Sequence, residues 1–460
     1  MKLLAFLREA LSGSRRDLTA LPINRAILFL AVPMVAEMMM ESIFAVADIF
    51  WVSKLGPEAV ATVGLTESML VIVYAMAMGL SMGAAAVVAR RIGEKDSQGA
   101  SRAAGQAILL GLGLAIVLGA LGGLLAPTLL RIMGASPSLI ATGSGFTRVM
   151  LGGSGTVLML FLINASFRGA GDAAIAMRTL WLANGINIVL GPCLVFGWGP
   201  FPRCGVMGAA IATTIGRGIG VLYQLRALTA GRGHLIVRAS DLKADTKTMA
   251  NIARISQGGV IQSLIGTASW VGLVRILSSF GNIALAGYTI SVRLILFALL
   301  PSWGMANAAA TLVGQNLGAK HPDRAEQAVW RAALLNLVFL GGVGAAFGIW
   351  ATPLVGAFSP DSAVVAVGAQ GLRIVSAGFV FYAYGMVITQ AFNGAGDTRT
   401  PTWLNLFCFW LWEIPLAYVL SRPLGMGPTG VFVAIMVAFS TLAVTSVILF
   451  RRGKWKTVRV

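Results

Sequence analysis

Runs of about twenty apolar residues recur along the chain, separated by short polar stretches that hold most of its charge. Twelve runs stand out, at 26–53, 60–89, 104–127, 138–166, 175–198, 206–228, 251–278, 283–313, 328–352, 362–391, 401–421 and 428–450. As helices rising about 1.5 Å per residue, runs of this length cross a hydrocarbon layer of ~30 Å. None alternates as a barrel strand does. The pattern predicts an all-α integral membrane protein with 12 transmembrane helices. Ahead of the first run, the apolar patch Leu3–Leu7 is broken by Arg8 and Glu9, too soon for a signal peptide. Leu3, Leu4, Leu7 and Leu11 share a helical face, so segment 1–23 is expected to be an amphipathic helix on the inner leaflet.

The chain also resembles itself. At an offset of 225 residues Gly56 meets Gly281, Gly79 meets Gly304, Gly93 meets Gly318, Lys95 meets Lys320, Arg148 meets Arg373 and Phe167 meets Phe392. The tetrapeptide GAGD at 169–172 meets GAGD at 394–397. A duplicated six-helix unit explains this. Six is even, so both copies cross in the same sense and are related by a pseudo-twofold along the membrane normal. The expected organisation is an N-lobe over 24–228, a polar linker over 229–250, a C-lobe over 251–450 and a basic tail over 451–460. The Asp of each GAGD is expected to cap the following helix.

Composition excludes a soluble protein. Only 11% of the 460 residues are charged and mean hydropathy is +0.82, against roughly 25% charged in soluble domains. The net charge of +18 would point to nucleic acid in a soluble chain. Here, with the N-terminus inside, 26 of the 35 Lys and Arg residues fall in inner segments and four in outer ones. That bias fixes cytoplasmic N- and C-termini, and nucleic acid is not an expected partner. Cys193, Cys204 and Cys408 make neither a disulfide framework nor a metal site. His234 and His321 lie in polar connectors and read as solvated loop residues.

The minority charge carries the chemistry. An ionisable side chain in mid-membrane is a functional candidate by default. Glu37, Glu41 and Asp48 lie in the first span, Glu67 in the second and Glu413 in the eleventh. Spacings of four and seven put Glu37, Glu41 and Asp48 within about 40° on one helical face. Three such carboxylates cannot all ionise at close range, so at least one keeps a proton near neutrality. Sodium uses the same oxygens. Met34 and Met38 give that face adaptable apolar contact. Asn184, Asn187 and Thr213 add oxygens on spans five and six, either for a cation or for helix–helix bonding. Arg148 and Arg373 are expected to snorkel to the outer interface.

Several stretches resemble the multidrug and toxic compound extrusion (MATE) family over nearly the whole chain. They are VADIFWVSKLGPEAVATVGL (46–65), AAAVVARRIGEKD (84–96), AAATLVGQNLGAKHPDRA (308–325), SFRGAGD (166–172), AFNGAGD (391–397) and GAAIAT (208–213). The resemblance implies a two-lobed antiporter exporting cationic or amphipathic small molecules, driven by inward flow of H+ or Na+. Asp48 stands at the family's first-span acid, which binds the coupling cation and is a possible Na+ ligand. Asn187 and Thr213 match the fifth-span Asn and sixth-span Thr. Gly191 stands where the family often has an Asp, four residues after that Asn. Span seven carries Gln257 and Gln262 instead of the acids of the sodium-coupled, C-lobe branch. The chain therefore looks nearer the N-lobe-coupled prokaryotic branch. Glu37, Glu41 or Glu67 is expected to replace the missing acid, which favours protons.

The expected protein is a monomeric exporter of the cell inner membrane, working by alternating access without a resident cofactor. Asp48, Glu37, Glu41, Glu67, Asn187 and Thr213 carry coupling. Asn184, Met38, Gln257, Gln262 and Glu413 line the substrate cavity. A flippase for lipid-linked oligosaccharide is the rival within the same superfamily, though the acidic first span suits cationic cargo better. No His lies within a span and no nucleophile–base constellation is apparent, so an enzyme is not expected.

Overall fold

The structure, a computed structural model, describes residues 2–13, 15–231 and 233–460, with side chains from residue 5 onward. Arg232 and the side chain of Lys2, counted above among the inner basic residues, and the side chains of Leu3 and Leu4 lie outside the described residues. The helices are α1 (Lys2–Ser12), α2 (Ile23–Ser53), α3 (Pro57–Gly93), α4 (Ser97–Ile132), α5 (Pro137–Gly152), α6 (Ser154–Ala170), α7 (Ala173–Phe196) and α8 (Val206–Thr229). They continue with α9 (Thr246–Ser278), α10 (Asn282–Gly318), α11 (Pro322–Gly356), α12 (Ser362–Ala377), α13 (Phe379–Gly394), α14 (Arg399–Asn405), α15 (Ile414–Ser421) and α16 (Pro428–Arg451). A π-helical stretch, Leu406–Glu413, joins α14 to α15. Among the described residues eleven spans are long and apolar enough to cross a membrane, and twelve when α12 and α13, bent by 57°, count as one. The chain is thus a twelve-span, all-helical membrane protein. Span four is α5 and α6, broken at Gly153.

Local chemistry explains the helix ends. Pro57, Pro137, Pro322 and Pro428 open helices, where a missing N–H costs nothing. Asp96 caps α4 through Gly99 N (2.8 Å), and Asp361 caps α12 through Ala363 N (2.8 Å). The duplication persists in backbone detail. Gly56 and Gly281, and Gly171 and Gly396, share left-handed φ angles, as do the non-glycine pair Lys95 and Lys320 at 62° and 60°. Arg148 Nε donates to Gly123 O (3.3 Å) and Arg373 Nε to Gly348 O (3.2 Å), so both exposed guanidiniums are tied to a neighbouring helix.

The helices group into two compact units. One comprises Met1–Asp17 and Val32–Val260, the other Leu18–Ala31 and Ile261–Val460. These limits differ from lobes at 24–228 and 251–450. Arg324 of α11 donates to Leu18 O (3.3 Å) and Leu21 O, and Arg331 to Asn24 Oδ1 (3.1 Å), which draws the start of α2 into the second unit. Pro33, which has no N–H for the carbonyl one turn back, stands beside the crossover.

The linker is fastened to the first unit along its length. Buried Gln106 of α4 donates to Asp241 O and Lys243 O (both 2.8 Å) and accepts from Asp245 N (2.9 Å). Ser101 Oγ accepts from Ile236 N (3.1 Å). The two GAGD aspartates divide here. Asp397 behaves as expected, accepting from Thr400 N (3.1 Å) and Thr400 Oγ1 (2.6 Å) at the start of α14. Asp172 caps nothing with its side chain. It holds His234 of the linker, through the backbone N (2.6 Å) and ring Nδ1 (2.8 Å). The reading of His234 as a solvated loop residue is therefore corrected, because its ring is mostly buried against that carboxylate.

The ends of the chain are also docked. Arg178 of α7 donates to Leu11 O (3.2 Å) and Ser12 O, which anchors α1 to the first unit. The basic tail folds back rather than trailing free. Trp455 is fully buried, stacked on Phe450 at 4.6 Å, and Lys456 reaches Glu326 (2.6 Å) and Asp323 (3.2 Å).

The hydrogen bond to Asp172 raises the pKa of His234 above 6.5, against the opposing effect of burial. A raised folded-state pKa gives stabilisation that is full below the unfolded value and is lost as pH rises through the folded one. Protease cleavage of the linker should therefore accelerate as pH is raised from about 6 to about 8.5. In His234→Gln cleavage should be faster at low pH and flat with pH, read from fragment yield on a gel.

Candidate functional site

Span polarity converges in the first unit on α2. Glu37, 2% exposed, accepts from Arg168 Nη1 (3.0 Å) and Asn164 Nδ2 (3.1 Å), both from α6. Asn164 Oδ1 in turn accepts from Gln224 Nε2 of α8, which also reaches Leu160 O. This network fixes α2, α6 and α8 together, and its geometry is that of an anchor. Trp181 Nε1 of α7 donates to Ala36 O (3.0 Å), fixing the register of α7 on α2.

One turn beyond Glu37, Glu41 Oε2 accepts from Asn184 Nδ2 of α7 (2.9 Å). Asn187, one turn further along α7, donates to Thr213 Oγ1 of α8 (2.7 Å), whose hydroxyl hydrogen goes to Ala209 O (2.9 Å). One turn after Thr213 comes Arg217. It is buried, donates to Tyr74 OH (3.0 Å) and lies over the Phe44 and Tyr74 rings. Its Nη1 has no hydrogen-bond partner. Arg217 acts electrostatically on both Glu41 and Asp48, and Asp48 also feels Glu67 of α3. Glu37 and Glu41 feel each other. Glu37 and Glu41 thus act on each other, Arg217 acts on Glu41 and Asp48, and Glu67 acts on Asp48.

Gly191 faces Asn187. A Cβ built there would meet Asn187 Oδ1 at 3.9 Å and nothing nearer. A Cβ therefore fits at this position. Glu41 reaches the same helix through Asn184.

The residues expected to line a cavity divide by burial. Asn184, Gln262 and Glu413 are buried in their own units, because a polar group in an apolar interior needs a fixed partner. Gln262 donates to Asn393 Oδ1 and Thr398 O (both 3.1 Å), and Glu413 Oε2 accepts from Ser269 Oγ (2.8 Å). Met38 is half-buried, and Gln257 and Glu67 are exposed. The sequence reading gave no role to Arg217, Asn164, Gln224 or Ser269. A lone Arg one turn after Thr213 in an apolar span was the available signal for the first.

Comparison with known proteins agrees with this architecture. The MatE family model matches residues 33–193 and 260–419, most of the chain. The chain belongs to the MatE family and is a MATE transporter. A probable multidrug resistance protein NorM of Thermotoga maritima is 24% identical over 437 residues, 94% of this chain and 93% of its own length. The FAD transporter of Shewanella oneidensis is 27% identical over 403 residues, 88% and 89% of the two chains. Among solved structures, the outward-facing conformation of a multidrug resistance MATE family transporter of the MOP superfamily has a TM-score of 0.90 at 26% identity, covering 97% of this chain and 100% of its own.

Breaking a buried ion pair from one side leaves an uncompensated charge, at a cost of about 3–5 kcal/mol. Arg168→Met should therefore lower the unfolding temperature sharply in detergent. The double variant Glu37→Gln/Arg168→Met should recover most of the loss, measured by thermal unfolding of the purified protein.

Proposed function

We propose that this chain exports small amphipathic or cationic organic molecules across the cell membrane in exchange for inward-moving protons, by alternating access. Asp48 is the proton-binding carboxyl. The observation that carries this reading is the setting of Asp48, a span carboxyl within electrostatic reach of a second carboxyl, Glu67, and a fixed cation, Arg217. Like charge on two neighbouring carboxyls disfavours ionising both, which favours keeping a proton on one of them. The missing carboxylate at Gly191 leaves fewer oxygens for sodium. Glu67 serves as the second carboxyl beside Asp48, Glu41 is held to α7 by Asn184, and Glu37 is the anchor.

The multidrug names of relatives support small organic cargo. A second reading is export of an anionic flavin nucleotide, as the name of the Shewanella relative suggests. It is favoured by Arg217, whose Nη1 keeps an unused donor. A lipid-linked oligosaccharide flippase is less well supported, since acids dominate the charges on α2. The basic bias of one set of connectors supports cytoplasmic termini, and the protein is taken to work as a monomer.

In proteoliposomes, an imposed pH gradient should drive export of a cationic dye and a sodium gradient should not. Asp48→Asn should abolish the proton-driven component while leaving expression and elution profile unchanged. Normal proton-driven export by this variant would sink the assignment. Flavin nucleotide transport with no dye transport would select the second reading.

A further inference from the structure

The second unit repeats a polar contact of the first with the acid moved to the other helix. Two tryptophans set the register. Trp181 Nε1 reaches Ala36 O, and Trp410 Nε1, in the π-helical stretch, reaches Ile265 O of α9 (3.1 Å), each contact spanning 145 residues of chain. Three residues beyond these tryptophans stand Asn184 and Glu413. In the first unit α7 supplies the amide, Asn184, and α2 the acid, Glu41. In the second, the Trp410 helix supplies the acid, Glu413, and α9 the hydroxyl, Ser269.

We propose that Glu413 is a second proton-binding site, belonging to the second unit and separate from the carboxyls of α2. The hydrogen-bond geometry carries this. Ser269 Oγ lies 2.8 Å from Glu413 Oε2 and 3.0 Å from Phe409 O. Its single hydroxyl hydrogen serves one of them fully. With Glu413 ionised, Ser269 must donate to it. With Glu413 protonated, the acid can donate to Ser269, and Ser269 can then donate to Phe409 O, a carbonyl of the π-helical stretch. Glu413 is 3% exposed, and among the described residues no Lys or Arg acts on it. An ionised carboxylate there would be buried without a counter-charge.

The groups facing Glu413 are themselves neutral. They are Tyr288 from α10, Tyr382 from α13 and Cys408 from the same π-helical stretch, besides Ser269. Tyr288, 3% exposed, has a hydroxyl with no hydrogen-bond partner, a spare donor near the acid. The π-helical winding, which ends at Glu413 just before Pro415, is the kind of irregularity that re-aims a side chain at a functional site. The site stands on the geometry of the second unit, and only its use in transport rests on the proposed antiport.

Infrared difference spectra of the purified full-length chain in lipid, taken across a pH titration, test the assignment. The wild type should show a protonated-carboxyl band that Glu413→Gln removes and Asp48→Asn retains. Ser269→Ala should keep the band and shift its frequency. Glu413→Asp, with the acid on a shorter stem, should also shift it, which keeps the test decisive should Glu413→Gln not fold. Spectra of Glu413→Gln that superimpose on the wild type at every pH would overturn the proposal, as would loss of the same band in Asp48→Asn. Proton-driven export by Asp48→Asn would count against the first-unit coupling reading alone, because the band is read independently of transport.

Discussion

A polar group placed inside an apolar span has to find its partner within the protein, since hydrocarbon offers none. The helix arrangement within each unit follows from that constraint. Glu37 with Arg168 and Asn164, Gln224 with Asn164, and Gln262 with Asn393 join helices distant in sequence, and Asn187 with Thr213 joins the consecutive α7 and α8. Lipid provides no apolar driving force between helices, so such pairs, with close glycine contacts, select neighbours. Gly105 shows the packing side: a Cβ there would meet Asp241 O at 2.7 Å. Pairing is incomplete at several buried atoms, Arg217 Nη1 and the Tyr288 hydroxyl among them.

Duplication kept the backbone and released the side chains. Left-handed turns, the Arg148 and Arg373 ties and the tryptophan registers survive in both copies. The polar content at those registers has diverged. Asp397 caps its helix while Asp172 holds the linker, and the acid of one copy faces an amide where the acid of the other faces a hydroxyl.

The spans, their number and the repeat were legible because hydropathy and glycine landmarks are local properties of sequence. The acids of α2 were legible as candidates because a charge in an apolar run is conspicuous. Their partners were not. Whether Glu37 meets Arg168 or Glu41 meets Asn184 depends on helix rotation, which periodicity does not fix. Arg168 looked like a connector residue, and its length lets it reach back to a buried acid. His234 looked solvated because its neighbours are polar, yet a polar linker bonded to α4 is ordered by those same groups.

The assignment of Leu18–Ala31 to the second unit bears on biosynthesis. Those residues are made early, but their hydrogen-bond partners, Arg324 and Arg331, lie some three hundred residues later. These contacts at the start of α2 cannot form until α11 is synthesised. A polypeptide halted within the linker would lack them, although α2 keeps its own backbone hydrogen bonds. Splitting the protein there into two separately encoded halves would strand this segment from its bonding groups, which ties the duplicated halves into one continuous chain.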